Sequence, residues 1–256
     1  MSELGLSSDI IKNGAIQVFH RLDEVRRRII VTLIGLSVCS AAGWYLSPRI
    51  LARLTALVPK VIYTTPAEAF LTQIELAIVL GLFLSLPLIL WEIWAFTMPF
   101  LPVAQRRRTF WVVPTAFVLF VGGASFCFFY VLPAALKFFM GFGSADLKPM
   151  IQFRSLVKFG EALVIPFGLM FELPVVAFFL SKVGVLKPEP LARNRKFAFF
   201  GCAIAAALIT PTPDPFNMSL MLAPMYLMYE ISIWVSKGVW RGKRKRQERE
   251  AAQDGE

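Results

Sequence analysis

Apolar blocks close to the length that crosses a lipid bilayer constrain this chain more than any other feature. A hydrocarbon core of about 30 Å needs about 20 helical residues at 1.5 Å each. Blocks of that kind run over residues 29–46, 70–98, 110–140, 156–180, 197–209 and 216–235. The composition agrees: 57% of residues are apolar, only 17% are charged, and the mean hydropathy is +0.63. These values lie outside the range of soluble globular chains. The sequence therefore predicts an all-α polytopic membrane protein with six transmembrane helices. Residues 1–236 form one transmembrane domain, and residues 237–256 form a charged cytoplasmic tail expected to be disordered.

The basic residues set the topology. Lys and Arg number 27 against 17 acidic residues, for a net charge of +10. They lie in short runs between the apolar blocks rather than on one face of a polar domain, so nucleic acid is not the expected partner. One side of the membrane collects Lys12, Arg21, Arg26–Arg28, Arg106–Arg108, Lys182, Lys187, Arg193, Arg195, Lys196 and the basic tail. The other holds only Arg49, Arg53, Lys60, Lys137, Lys148, Arg154 and Lys158. By the positive-inside rule both termini are cytoplasmic, which needs an even number of crossings. The first block is too long and lacks the cleavage site of a signal peptide, so an uncleaved first helix is expected.

Two irregularities belong to the blocks themselves. Pro114, Pro133, Pro166, Pro174 and Pro224 fall inside them, which a membrane helix tolerates where neighbours satisfy the freed carbonyls. The fifth block is short: thirteen residues rise about 20 Å. Continuation into residues 191–196 with snorkelling basic side chains, a locally thinned bilayer, or an inward-dipping Pro-rich loop at 210–217 would each remedy that.

Ionisable groups inside the blocks are costly and default to function. Glu172, deep in the fourth block, is the foremost of them, a carboxylate expected to face a polar recess in the bundle. Glu92 and Glu230 lie near the cytoplasmic ends of their helices, and Glu75 and Glu161 near the outer ends, where hydration favours a plain boundary role. Gly122 and Gly123 read as a close helix-packing point. The single histidine, His20, excludes a multi-histidine metal site. Cys39, Cys127 and Cys202 lie in three different blocks without metal spacing, so no metal and no cofactor are expected. No phosphate-binding loop, dinucleotide fingerprint or nucleophile elbow occurs, so the chain is not expected to be an enzyme. A transporter remains. The rival to a protein transporter is a proton-coupled secondary transporter of a small solute, which the lack of a repeated half disfavours.

Three segments together resemble the TatC family, the multispanning subunit of the twin-arginine protein translocase. Leu22-Asp23-Glu24-Val25-Arg26-Arg27-Arg28 is similar to the family's HLxELRxR motif before the first helix. Pro87 to Leu101, with Trp91-Glu92-Ile93-Trp94-Ala95-Phe96-Thr97-Met98-Pro99, resembles the family's end of the second helix. Thr210-Pro211-Thr212-Pro213-Asp214-Pro215-Phe216, followed by Pro224-Met225-Tyr226 and Tyr229-Glu230, is the third, and Phe171-Glu172-Leu173-Pro174 is a further match. The resemblance implies a concave, glove-like bundle with short fifth and sixth helices in the cell inner membrane. It implies recognition of the twin-arginine signal peptide of folded cargo at the cytoplasmic face, self-association in a receptor complex, and TatB-like and TatA-like single-span partners. Transport would run on the proton-motive force without nucleotide hydrolysis. Residue by residue, Glu24 would receive the signal's arginine pair and Arg26 and Phe96 would support that face. Glu172 would polarise the concave cavity, and Asp214 would act in the outer loop. Two departures stand out. Arg21 occupies the family's histidine position, with His20 offset by one. Gln105 stands where the family has a glutamate before its basic pair, so the second carboxylate of the signal site is missing.

Overall fold

The computed structural model describes residues 3–97, 111–142, 150–210 and 214–253. Apart from one two-stranded clip, the regular elements are helices: α1 (Glu3–Thr55), α2 (Pro66–Thr97), α3 (Val112–Phe126), α4 (Leu132–Met140), α5 (Phe153–Phe171), α6 (Leu173–Val183), α7 (Pro188–Arg193), α8 (Arg195–Ile209) and α9 (Pro215–Gln253). A π-helical turn, Cys127–Val131, joins α3 to α4. Among the described residues, five stretches are long and apolar enough to cross a membrane: Val25–Thr55, Pro66–Ala95, Val112–Met140, Phe153–Val183 and Pro215–Lys245. These are the expected crossings one to four and six. The fifth block forms α8, a helix of 15 residues that rises only about 22 Å. Arg195 and Lys196 lengthen the block by two residues at its start, and Asn194, with φ −96° and ψ 23°, separates it from the short α7.

Prolines account for the breaks. Pro133 has no N–H, and its ring crowds the carbonyl one turn earlier. The chain answers with the π turn, in which the Leu132 N–H donates to the Cys127 carbonyl five residues back, a known cause of local kinking. Pro174 acts alike at the α5–α6 junction, where Glu172 is the hinge residue (φ −78°, ψ −14°).

Helices approach closely where side chains vanish. A Cβ on Gly81 would run into the backbone of Ser40 in α1, and one on Gly43 into the Ala77 carbonyl in α2, so α1 and α2 cross backbone to backbone. In lipid, where apolar surface gives no net drive to associate, such contact is what holds helices together. Gly123 in α3 faces Phe171, and Gly168 in α5 faces the Phe120 ring, a Cβ at either lying 2.6 Å from ring carbons. Gly122 has open space around it; of the expected Gly-Gly packing point, only Gly123 packs. The core between α1, α2, the π turn, α5 and α9 is built from Leu54, Cys127, Leu132, Val157, Phe167 and Met221. All three cysteines are free thiols.

The two ends of the bundle are distinct. At one, Val61–Ile62 (β1) pairs in parallel with Ile151–Gln152 (β2). Behind this clip the Glu68 carboxylate, only 7% exposed, accepts from the Thr64 N–H at 3.0 Å, the Thr64 hydroxyl at 2.5 Å and the Arg154 N–H at 3.3 Å. It thus satisfies donors at the first turns of both α2 and α5, where a helix end welcomes negative charge. Glu75 lies nearby, 3.8 Å from both Arg154 and Lys158. The opposite, terminal end carries both chain termini. There α9 runs past residue 236 and continues as helix to Gln253. Ser181 donates to Ser236 at 2.8 Å, Trp240 to the Leu186 carbonyl at 2.8 Å and Lys243 to the Ser181 carbonyl at 3.0 Å. These bonds tie the root of that extension to α6.

The backbone crossing at Gly81 has a direct test. Gly81→Ala should lower thermal stability in detergent by about 1–3 kcal/mol, because overpacking outweighs the better helix propensity. Gly122→Ala, with no neighbour to meet, should be neutral or stabilising by up to about 1 kcal/mol. Equal effects at the two sites would remove the crossing as an element of stability.

Candidate functional site

The terminal end of α1 and α2 is fixed by one long-range ion pair. Arg28 Nη1 lies 2.7 Å from Glu92 Oε2, and its side chain and that of Glu92 are 23% and 19% exposed; Arg28 also donates to the Glu92 carbonyl at 3.4 Å. Glu92 is therefore more than a hydrated helix-end carboxylate: it registers α2 against α1. The packing of Trp91 and Trp94, rings 5.1 Å apart, sits at the same level, as interfacial tryptophans do.

That register sets where the expected signal-binding positions fall. Glu24 precedes Arg28 by one helical turn on α1, and Phe96 follows Glu92 by one turn on α2. Because the helices are antiparallel, both positions move toward the terminal end and lie in the same layer, with exposed Asp23 and Arg26 beside Glu24. The side chains of Glu24 and Phe96 lie outside the described residues, as does the whole of Gln105.

The remaining sequence candidates are placed as follows. Asp214 is the N-cap of α9. Its Oδ1 accepts the Asn217 N–H at 2.8 Å, its Oδ2 accepts from Asn217 Nδ2 at 3.0 Å, and Pro215 takes the first helical position, a favourable capping arrangement. Glu172 is half-buried at the α5–α6 hinge, and its Oε1 is buried without a hydrogen-bond partner. It lines neither of two concavities in the bundle. The first, of about 490 Å³, lies among α1, α2, α3 and α5. The second, of about 450 Å³, lies among α5, α8 and α9.

Two arrangements were not foreseen. Glu230, expected as a boundary carboxylate, is gripped by Arg195 through a forked pair, Nε–Oε1 2.8 Å and Nη2–Oε2 2.9 Å, the geometry in which guanidinium and carboxylate fit best. Tyr226 adds a 3.0 Å hydrogen bond to the same carboxylate, and Tyr229 donates to the Leu191 carbonyl at 2.8 Å. This cluster pins the first turn of α8 to α9, leaving Phe197, Phe200 and Leu208 of α8 largely exposed on its outer face. Glu68 is the second. The Thr-Pro-Ala-Glu run at 65–68, a capping-box spacing, was its available signal.

The comparisons with known proteins agree in direction. Residues 20–224 match the family model described as Sec-independent protein translocase protein (TatC). The Sec-independent protein translocase protein TatC of Carboxydothermus hydrogenoformans is 38% identical over 224 residues, covering 86% of this chain and 92% of that protein. The protein of the same name from Aquifex aeolicus is 32% identical over 233 residues, covering 88% and 96%. Among solved structures, a crystal structure of the twin arginine translocase receptor TatC superposes with a TM-score of 0.75 at 32% identity, covering 86% of this chain and 99% of that one.

The Arg28–Glu92 pair and the Asp214 cap each predict a measurable loss. Arg28→Ala or Glu92→Ala should cost about 1–3 kcal/mol in thermal unfolding, between the exposed and buried limits for ion pairs. Exchange of the two residues (Arg28→Glu with Glu92→Arg) should recover part of it, and additive losses would show that the two do not couple. Asp214→Ala should cost about 1 kcal/mol and Asp214→Asn markedly less, since asparagine also caps.

Proposed function

The chain belongs to the TatC family of Sec-independent protein translocase proteins, and from that premise we propose that it is the receptor subunit for twin-arginine signal peptides. It is a multi-pass membrane protein and a component of a protein translocase. In the proposed topology α8 is the fifth, short crossing and both termini are cytoplasmic, so the terminal end of the bundle faces incoming cargo. The single observation that carries the reading is the register imposed by Arg28 and Glu92, which supports Glu24, Arg26 and Phe96 acting as one layer on that face. A signal's planar guanidinium groups need a carboxylate acceptor, which lysine cannot match in bidentate form.

Transport then proceeds through partners and the proton-motive force, without nucleotide. Single-span TatB-like and TatA-like helices would dock along α8, which exposes Phe197, Phe200 and Leu208 and lines the 450 Å³ concavity with Ala198, Gly201, Cys202 and Ala205. A short helix beside thinned bilayer lowers the cost of polar contacts there. Self-association of the receptor uses other faces of the same bundle. Glu172, at a hinge with one oxygen unbonded, is the intramembrane carboxylate that would respond when cargo enters.

Gln105 makes the reading sharp. A neutral amide at that position leaves Glu24 as the chief acceptor on a face rich in arginine. Glu24→Ala should abolish binding of a fluorescent twin-arginine peptide to purified protein, and Gln105→Ala should change it little. Gln105→Glu should tighten it by up to about tenfold, the worth of one added charge-assisted hydrogen bond. A twin-lysine peptide is the control. Unchanged binding in Glu24→Ala, or weaker binding in Gln105→Glu, would mean that the arginine pair is read elsewhere.

A further inference from the structure

The 490 Å³ concavity among α1, α2, α3 and α5 is apolar over most of its wall but polar at one end. Phe83, Phe117, Phe120 and Val121 line the apolar part, and Arg49, Arg53 and Glu161 the polar part. None of these three residues belongs to the signal-binding layer, which lies at the opposite end of the bundle. We propose that this groove is a binding site for a single aminophospholipid, with one acyl chain along the aromatic wall, the phosphate on Arg49 and Arg53, and the headgroup ammonium on Glu161.

Depth is the first support. A crossing that starts at Arg28 reaches the far boundary of a 30 Å core after about 20 residues, near Arg49, and Arg53 follows one turn beyond. The two guanidiniums, four residues apart on one face of α1, thus stand at the level of lipid phosphates. The charges are also available. Both side chains are exposed, and among the described residues neither meets a carboxylate. Arg53 is steadied instead by the Phe129 ring, 5.8 Å from its centroid. Exposed charges at a protein–water surface need no partner, but these line a groove whose volume of about 490 Å³ falls in the range of ligand pockets, about 300–1,000 Å³, room for one acyl chain rather than a whole lipid.

Glu161 makes the site selective. A Cβ on Gly160 would lie 3.7 Å from Leu54, so the next residues along each chain, Glu161 and Arg53, stand in one layer at the polar end. Glu161 Oε1 is buried without a hydrogen-bond partner, while the neighbouring acid, Glu75, lies 3.8 Å from both Arg154 and Lys158. A purely anionic lipid would satisfy the arginines and repel Glu161. A choline headgroup would bring a cation that has no N–H to donate. An ethanolamine headgroup supplies both the phosphate and the N–H donors, which is the complement of two guanidiniums and one carboxylate.

The test is native mass spectrometry of the full chain in mild detergent, incubated with dioleoyl phosphatidylethanolamine, phosphatidylglycerol or phosphatidylcholine. One ethanolamine lipid per chain should be retained in preference to choline lipid by about tenfold, the worth of one charge-assisted hydrogen bond. Arg49→Gln with Arg53→Gln should lower retention of every lipid. Glu161→Gln should abolish the ethanolamine preference while sparing, or raising, retention of the glycerol lipid. Soluble glycerophosphoethanolamine, which has no acyl chains, should not compete. Equal retention of the three lipids by the unaltered protein would overturn the proposal without any variant. So would retention unaffected by the arginine substitutions, or displacement by the soluble headgroup, which would mark a site for a free phosphate ester.

Discussion

A hydrocarbon layer supplies no hydrogen bonds, so every backbone N–H and C=O that enters it must be satisfied within the chain. That constraint fixes helices as the spanning elements here and confines the two short strands to one end of the bundle. It also shapes the breaks. At Pro133 the helix does not end but widens into a π turn that gives the Leu132 N–H an acceptor five residues back. At Pro174 the Glu172 carbonyl still receives the Val175 and Val176 N–H groups, at 3.0 and 2.9 Å. Even where the helix axis changes direction, the hydrogen-bond ladder is rerouted around the break.

With apolar association weak in lipid, the bundle is held by close backbone approach inside and by charge at its rims. Ser40, Gly43 and Gly81 bring α1 and α2 into contact near mid-span, and the Arg28–Glu92 pair sets their rotation and register at the end. The Arg195–Glu230 fork does the same for α8 and α9, and the Glu68 carboxylate does it for α2 and α5 at the clip. Each such carboxylate sits where water or helix-terminal donors lower the cost of its charge. Each also joins segments far apart in sequence, so the rims supply the specificity that the interchangeable apolar surfaces cannot.

Much of this was legible in the sequence because block length is a one-dimensional property. Among the described residues, five of the six expected crossings correspond to helices long enough to span, and Pro133 and Pro174 lie at the two breaks within them. The fifth block announced its own shortness, and α8 is as short as read. What the sequence hid is what depends on two distant residues at once. Nothing local distinguishes Glu92 paired with Arg28 from a glutamate hydrated at a helix end, nor Gly123 from Gly122. A charge-rich composition suggests disorder in the tail, whereas α9 runs as helix to Gln253, with hydrogen bonds at Ser236, Trp240 and Lys243 along the root of that stretch. Of the candidate site residues, Asp214 has a complete local explanation as a helix cap. Glu24 and Phe96 are placed by register alone, and Gln105 lies outside the described residues.

Among the described residues, two buried carboxylates remain without a partner for one oxygen once the others have been matched. Glu161 and Glu172 each carry a buried oxygen with no hydrogen bond, in a protein where Glu68, Glu92 and Glu230 are each held by at least one short contact. Burying such an oxygen without a partner costs free energy that hydrophobic substitutes would avoid. The two differ in setting. Glu161 opens onto a groove with free arginines at its mouth, where a second molecule can complete the set of charges. Glu172 sits at a proline hinge inside the span, where a partner must come from a change in the bundle or from a polypeptide passing beside it. One carboxylate is suited to a resident ligand and the other to a transient one, and a translocase component that must hold its shape between cargoes has use for both.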